Sequence, residues 1–224
     1  MQTAAFKEAK RAQVSFLAPL EKKTLIWLAH RTPAWINSDH LTALGLISLL
    51  GAGLSYWYAR YHRFGLWLVA ACLALNWLGD SLDGTLARVR NRQRPRYGFY
   101  LDHIVDTFGV LFLLGGLALS GYMSKPVAAG LLTAYYMLSI EVYLATYTIG
   151  TFHLSFWKVS PTELRILLAL GNIALFYCPM VQLAGSTYRL YDVGGAIGVT
   201  GLALMLIAAV FRHTVELYRA ERLP

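Results

Sequence analysis

The stretch GDSLDGTLARVRNRQRPRYGFYLDHIVD, residues 79–106, carries Asp80, Asp83, Asp102 and Asp106, four of the chain's 12 acidic residues. It lies between two long apolar runs. On a helix each residue advances about 100°, so Asp83 falls about 60° to one side of Asp80 and Gly84 about 40° to the other. Ala87 falls between them. Two carboxylates and two small residues therefore share one face. Asp102 and Asp106, spaced i, i+4, share a face of the next helix. The connection VRNRQRPRYG is basic, with Pro95 and Gly98 read as breakers. A connection this short makes the two helices antiparallel neighbours. All four carboxylates can then meet at one end of the pair.

Carboxylates in an apolar setting need compensation. Each would cost roughly 2.5–3.5 kcal/mol on an insertion scale at mid-membrane depth. Arg88 can neutralise one charge, not four. An all-oxygen donor set suits Mg²⁺, Mn²⁺ or Ca²⁺ rather than zinc. Three or four carboxylates around two such ions make a clamp for a phosphoryl group. Gly84 and Ala87 leave room for a bulky ligand against the backbone, and Arg88 supplies a guanidinium that suits phosphate.

This arrangement resembles the CDP-alcohol phosphotransferase family, also called the CDP-alcohol phosphatidyltransferases. The family signature is D-x2-D-G-x2-A-R-x8/9-G-x3-D-x3-D. It is matched at Asp80, Asp83, Gly84, Ala87, Arg88, Gly98, Asp102 and Asp106. A further family element, P-N-x-L-T, stands here as SDHLT, Ser38–Thr42, with Ser38 and Asp39 in place of the usual Pro and Asn. The resemblance implies a reaction in which a CDP-linked donor passes its phospho-alcohol group to an acceptor hydroxyl and CMP leaves. It implies two Mg²⁺ or Mn²⁺ ions held by Asp80, Asp83, Asp102 and Asp106. Asp80, Asp83, Gly84, Ala87 and Arg88 fall where the family binds the CDP moiety. Asp106 is the expected catalytic base for the acceptor hydroxyl. The favoured reaction is phosphatidyl transfer from CDP-diacylglycerol to a small polar alcohol in phospholipid synthesis. The D-H-x-x-D form at His103 is similar to the choline and ethanolamine phosphotransferase branch, which is the second reading.

Other residues can touch the chemistry. His103 is either an acceptor or base residue, or packs against a neighbouring helix. Glu141 lies mid-span, where intramembrane glutamates are functional candidates by default; its plain reading is a hydrogen bond to a nearby tyrosine. SPTELR, Ser160–Arg165, reads as a helix start capped by Ser160 or Thr162, with Pro161 in the first turn. Glu163 and Arg165 could equally help hold the acceptor. Arg90, Arg92, Arg94 and Arg96 read as topology and lipid-headgroup contacts. Gly194 and Gly198 form a GxxxG pair that packs helices within or between protomers, and a homodimer is expected.

The elements that must position these residues are apolar helices. The chain has 224 residues, 57% hydrophobic and only 14% charged, with a net charge of +8. Its mean hydropathy is +0.47. A soluble domain would carry about a quarter charged residues, so the class is an integral membrane protein. Six stretches are near the roughly 20 residues needed to span. They are Leu41–Ala59, Gly65–Asp83, Tyr100–Gly121, Pro126–Ile149, Glu163–Ala184 and Val193–Phe211. Before them, residues 3–30 read as an amphipathic helix in the interface, flanked by Trp27 and Trp35, with Pro19 breaking or kinking it. The expected fold is all-α. Residues 1–36 form the interfacial N-terminal helix and 37–224 a six-helix membrane domain.

The basic residues orient it. With both termini in the cytoplasm, six, five, two and three of the 20 Lys and Arg fall inside, against Arg60, Arg63, Lys125 and Arg189 outside. That bias puts both termini and the aspartates on the cytoplasmic side. It also accounts for the net charge without a nucleic-acid partner. Residues 1–24 lack the apolar core of a cleavable signal peptide. Cys72 and Cys178 sit in apolar runs and read as core thiols. A rival class, a cation-coupled transporter, would explain intramembrane carboxylates, but no internal repeat or paired broken helices accompany them.

Overall fold

The computed structural model describes residues 10–11, 18–149, 151–152 and 161–221. Its helices are α1 Ala18–Arg31, α2 Ser38–Ala59, α3 Gly65–Val89, α4 Pro95–Ser120, α5 Lys125–Ile149, α6 Pro161–Tyr177 and α7 Leu190–Ala220. Five of them, α2, α3, α4, α5 and α7, are long and apolar enough to cross a membrane. Two strand pairs accompany the helices. Lys10–Arg11 (β1) pairs in parallel with Thr151–Phe152 (β2). Met180–Leu183 (β3) and Ser186–Arg189 (β4) form an antiparallel hairpin, Met180 opposite Arg189 and Leu183 opposite Ser186.

Local chemistry sets the element ends. Asn37 caps α2: its side chain accepts the His40 amide at 3.0 Å, while the Asn37 N–H donates to His40 Nδ1 at 3.3 Å. These reciprocal bonds satisfy donors that every helix start leaves orphaned. Pro95 opens α4 rather than breaking the chain before it, because the first helical position needs no N–H. Gly98 lies in the first turn, not in a loop. Pro19 stands in the first turn of α1, which begins at Ala18, and Lys10–Arg11, expected within the same helix, are a strand instead. The rest of the expected 3–30 helix, apart from Lys10 and Arg11, lies outside the described residues.

The expected span Glu163–Ala184 is corrected. The helix stops at Tyr177, ahead of Pro179, and the chain turns into the hairpin. Ala184 and Gly185 both take positive φ, 49° and 82°, at the two central positions of its turn. Such a turn matches the twist of the flanking strands. Conversely, α3 runs on to Val89, and α7 is 31 residues long. Cys178 is exposed rather than buried; Cys72 is half-buried, and both are free thiols.

The core sits among α2, α3 and α4. Leu49, Ala52, Tyr56, Leu66, Val69, Leu73, Leu113 and Leu117 form it. Helix backbones come very close there. A Cβ on Gly53 would run into the Phe112 carbonyl, and one on Gly116 into that of Gly53. A Cβ on Gly79 would lie 2.7 Å from the Gly45 amide nitrogen. Small residues replace side-chain interdigitation by direct backbone contact, the usual solution between helices in lipid. A second cluster, Leu25, Ala29, Leu41, Leu82 and Leu86, docks α1 onto α2 and α3. By contrast, α7 exposes Ile197, Leu204, Ile207 and Phe211 and packs chiefly on α5. Gly198 faces Leu131 of α5 within the protomer, whereas Gly194 opens outward.

Candidate functional site

Asp80 and Asp83 lie in the second half of α3, Asp102 and Asp106 in the first half of α4. The four carboxylates lie close enough to act on one another electrostatically. Asp83 feels Asp80 and Asp102, and Asp106 feels Asp80, Asp102 and Asp83. The expectation that the four carboxylates come within reach of one another holds, but not the expectation that α3 and α4 are packed neighbours: each packs chiefly on α2.

Each of the α3 aspartates is held by a partner. The Thr42 hydroxyl donates to Asp83 Oδ2 at 2.6 Å, and the other Asp83 oxygen accepts the Gly84 amide. Ser38 Oγ donates to the Asp83 carbonyl at 2.9 Å. The first turn of α2 thus sets both the backbone and the side chain of Asp83. Asp80 meets Arg165 of α6, whose Nη2 lies 2.5 Å from Asp80 Oδ2. Arg165 Nε donates to Asn76 Oδ1 at 2.7 Å, and Asn76 Nδ2 donates to the Gly45 carbonyl at 3.0 Å. A planar guanidinium can serve two acceptors at once, which a lysine ammonium does less well. Asn76, one turn before Asp80, orients Arg165 and is itself anchored on α2.

A carboxylate from α1 fixes the frame behind this pair. Glu21 Oε1 accepts from Trp77 Nε1 at 2.9 Å, Thr162 Oγ1 at 2.8 Å and Ser81 Oγ at 3.3 Å. Thr162 therefore ties α6 to α1 and α3. The start of α6 is held beside Asp80 by that bond, one turn before Arg165.

Around the signature glycine the surface is bare. The nearest atom a Cβ on Gly84 would meet is Arg88 Nη1, at 3.9 Å. Arg88 itself donates to Thr85 Oγ1 at 3.1 Å. Ala87 is partly buried, and its carbonyl accepts the Arg92 amide at 2.9 Å. A ligand can approach the helix at Gly84 as the spacing suggests.

His103 turns onto its own helix. Its Nδ1 lies 2.6 Å from the Phe99 carbonyl, and its ring stacks 4.2 Å from Phe99 and meets Tyr143 edge-on at 4.8 Å. That is the packing alternative. Glu141 bonds no tyrosine: its Oε1 lies 2.6 Å from His213 Nδ1 of α7, in a pair that is almost fully buried. Arg90 is engaged within the protein. It donates to the carbonyls of Ile36, Thr32 and Pro33 at 2.5, 2.7 and 3.0 Å and straps the α1–α2 connection to the end of α3. Arg94 pairs with Asp39 and lies over the Tyr97 ring.

Do these residues fit divalent ions? The donors are hard carboxylate oxygens from two successive helices, the chemistry that Mg²⁺ and Mn²⁺ take. Among the described residues, no three such side chains converge on one point as they stand. Asp80 and Asp83 have oxygens engaged as they stand, by Arg165 and by Thr42 and Gly84. The donor set fits, with rotamer changes. Sequence reasoning missed Asn76 and Glu21, and offered Arg165 only as one of two options. No local pattern marks a residue whose partner is brought by tertiary packing.

Residues 35–213, from the loop before α2 into the last turns of α7, match the family model described as CDP-alcohol phosphatidyltransferase.

Proposed function

The chain belongs to the CDP-alcohol phosphatidyltransferase family, and from that premise we propose the particular reaction and the role of each residue. The family makes it a transferase of phosphate-containing groups, acting in the membrane on a CDP-linked donor and an acceptor hydroxyl in phospholipid synthesis. The reading favoured is phosphatidyl transfer from CDP-diacylglycerol to a small polar alcohol, with release of CMP. The observation that carries it is the carboxylate cluster on α3 and α4, set beside the bare backbone at Gly84.

Asp80, Asp83, Asp102 and Asp106 would hold two Mg²⁺ or Mn²⁺ ions. When bound, the ions neutralise the pyrophosphate and polarise the reacting phosphorus. Gly84 and Ala87 admit the cytidine nucleotide to the face of α3, and Arg88 meets its phosphates. Thr42 holds the Asp83 carboxylate and Ser38 its backbone carbonyl, so that the first turn of α2 sets the position from which Asp83 would serve the site. Arg165 balances the charge of Asp80 and must yield part of that bond as a cation arrives. Asp106 takes the proton of the acceptor hydroxyl, which is a poor nucleophile until deprotonated. A CDP-choline or CDP-ethanolamine donor is the second reading and rests on His103. The engagement of that ring by Phe99 and Tyr143 is why it comes second.

The chain is read as six passes with both termini on the cytoplasmic side, and α1 lying in the interface. Although α6 has only 17 residues, it runs from the aspartate end, where Arg165 meets Asp80, towards the opposite end. There Asn172 accepts from Tyr56 at 2.8 Å and from Tyr191 at 2.9 Å.

The test is an incubation of purified protein with labelled CDP-diacylglycerol, CDP-choline or CDP-ethanolamine and a panel of acceptors, with and without chelator. CMP release from CDP-diacylglycerol alone, abolished by chelation, is the expected result. Full CMP release in excess chelator would overturn the two-ion reading; turnover of a CDP-amino-alcohol would overturn the donor.

A further inference from the structure

The end of the bundle opposite the aspartates holds a cavity of about 550 Å³. Arg60, at the end of α2, Lys125, at the start of α5, and Arg189, just before α7, all line it. Three elements distant in sequence thus bring three cations to one hollow. The rest of the wall is the end of α4 and the turn after it, residues 118–123, with Leu119 as its exposed apolar residue. The site lies far from the chemistry: from Thr42 to Arg60 the α2 axis rises about 27 Å at 1.5 Å per residue.

Arg60 lies 5.9 Å from the Tyr61 ring centroid, and none of the three cations is paired with a carboxylate among the described residues. The nearest acid in sequence to Arg189 is Asp192, and it is committed: its Oδ1 accepts the Ser124 amide at 2.6 Å. Like charges drawn into one hollow repel unless an anion sits among them. The starts of α5 and α7 add their positive dipole ends at the same place. Positive charge at helix ends, beside the exposed, apolar Leu119, matches the polarity step of a lipid at the membrane surface. A phosphodiester meets the cations and its chains meet the apolar side.

We propose that this cavity is a phosphate-binding site occupied by the anionic headgroup of a membrane phospholipid, with Arg60, Lys125 and Arg189 as its clamp. It is separate from the transferase site and does not depend on the reading of that site.

The probe is phosphatidylglycerol, offered with an equal amount of phosphatidylcholine to the protein in nanodiscs, and the readout is the lipid retained in native mass spectrometry. Wild type should retain phosphatidylglycerol preferentially. Arg60→Gln, Lys125→Gln and Arg189→Gln together should lower that preference about tenfold or more. Ala118→Phe keeps every charge but fills the wall, and should lower it as well. Arg63→Gln removes a cation at the same end outside the cavity, and should change nothing. Each variant is compared only if its lipid-free thermal midpoint matches wild type; single substitutions replace the triple one if it does not. Equal loss in Arg63→Gln would show diffuse attraction and overturn the site. Stabilisation by millimolar inorganic phosphate, with no phosphatidylglycerol retained, would assign the cavity to a soluble phosphate and overturn the lipid. No difference between wild type and the clamp variants in either arm would overturn both.

Discussion

Thr42 shows how one hydroxyl can govern a carboxylate. It is buried, and its proton has two acceptors in reach, Asp83 Oδ2 at 2.6 Å and the Ser38 carbonyl at 3.0 Å. The shorter bond to the charged oxygen wins, and such bonds are worth about 1.5–3 kcal/mol. Thr42→Val keeps the shape and removes the donor. It should lower turnover by about 10- to 100-fold, as that energy converts to rate. The Mg²⁺ concentration for half activation should move with it, while the protein remains folded by thermal midpoint. An unchanged metal titration would mean that Asp83 is aimed by Gly84 and Ser38 alone. Asp106 separates two other roles. Asp106→Asn should cut turnover by about 10²–10⁴-fold, the usual contribution of a general base. Donor binding, read by CMP-dependent thermal stabilisation, should fall much less because three carboxylates remain. Binding lost in step with turnover would make Asp106 chiefly a ligand.

At the scale of elements, the signature helices work because their glycines do different jobs. Gly53 and Gly116 let α2 and α4 touch backbone to backbone, and Gly84 leaves α3 bare for a ligand. Gly53→Ala places a methyl against the Phe112 carbonyl, which cannot move without shifting α4. It should destabilise the fold by about 1–3 kcal/mol, the cost of overpacking. Gly84→Ala meets only Arg88 Nη1 at 3.9 Å, so it should fold like wild type. Thermal midpoints in detergent check the pair, and equal midpoints would refute the distinction. Gly84→Leu should likewise fold yet lose the CMP-dependent shift. The sequence placed the carboxylates on two successive helices, because their spacing is local, but it read α3 and α4 as direct neighbours, whereas both pack on α2, which lies between them. It did not show that Pro95 begins a helix, since a proline suits both a loop and a first turn. The hairpin after Tyr177 was also hidden. Its turn uses Ala184 at positive φ rather than the Asn-Gly or Asp-Gly pairs that mark such turns. Arg165, 85 residues from Asp80 along the chain, could reach it only through the packing of α6 on α3.

For the whole molecule the decisive question is parity. Five helices are unambiguous in length, and an odd number of crossings would put the termini on opposite sides. The proposed topology puts them on the same side, on the ground that the N-terminal segment and the tail are both rich in Lys and Arg. On the proposed six-pass reading the sixth crossing is α6, about 26 Å long at 1.5 Å per residue and short of a 30 Å hydrocarbon core. Its contacts support a full traverse, from Arg165 beside Asp80 to Asn172 beside Tyr56 and Tyr191. The exposed hairpin that follows can carry the chain through the remaining interface to Arg189, at the same end as Arg60 and Lys125. In a background of Cys72→Ser and Cys178→Ser, single cysteines at Lys23, Gly185 and Arg219 should divide cleanly in right-side-out vesicles. A membrane-impermeant maleimide should label the Gly185 position in intact vesicles, and Lys23 and Arg219 only after the membrane is opened. Labelling of Arg219 from the same side as Gly185 would remove α6 from the crossings, leave five, and place the tail away from the aspartates.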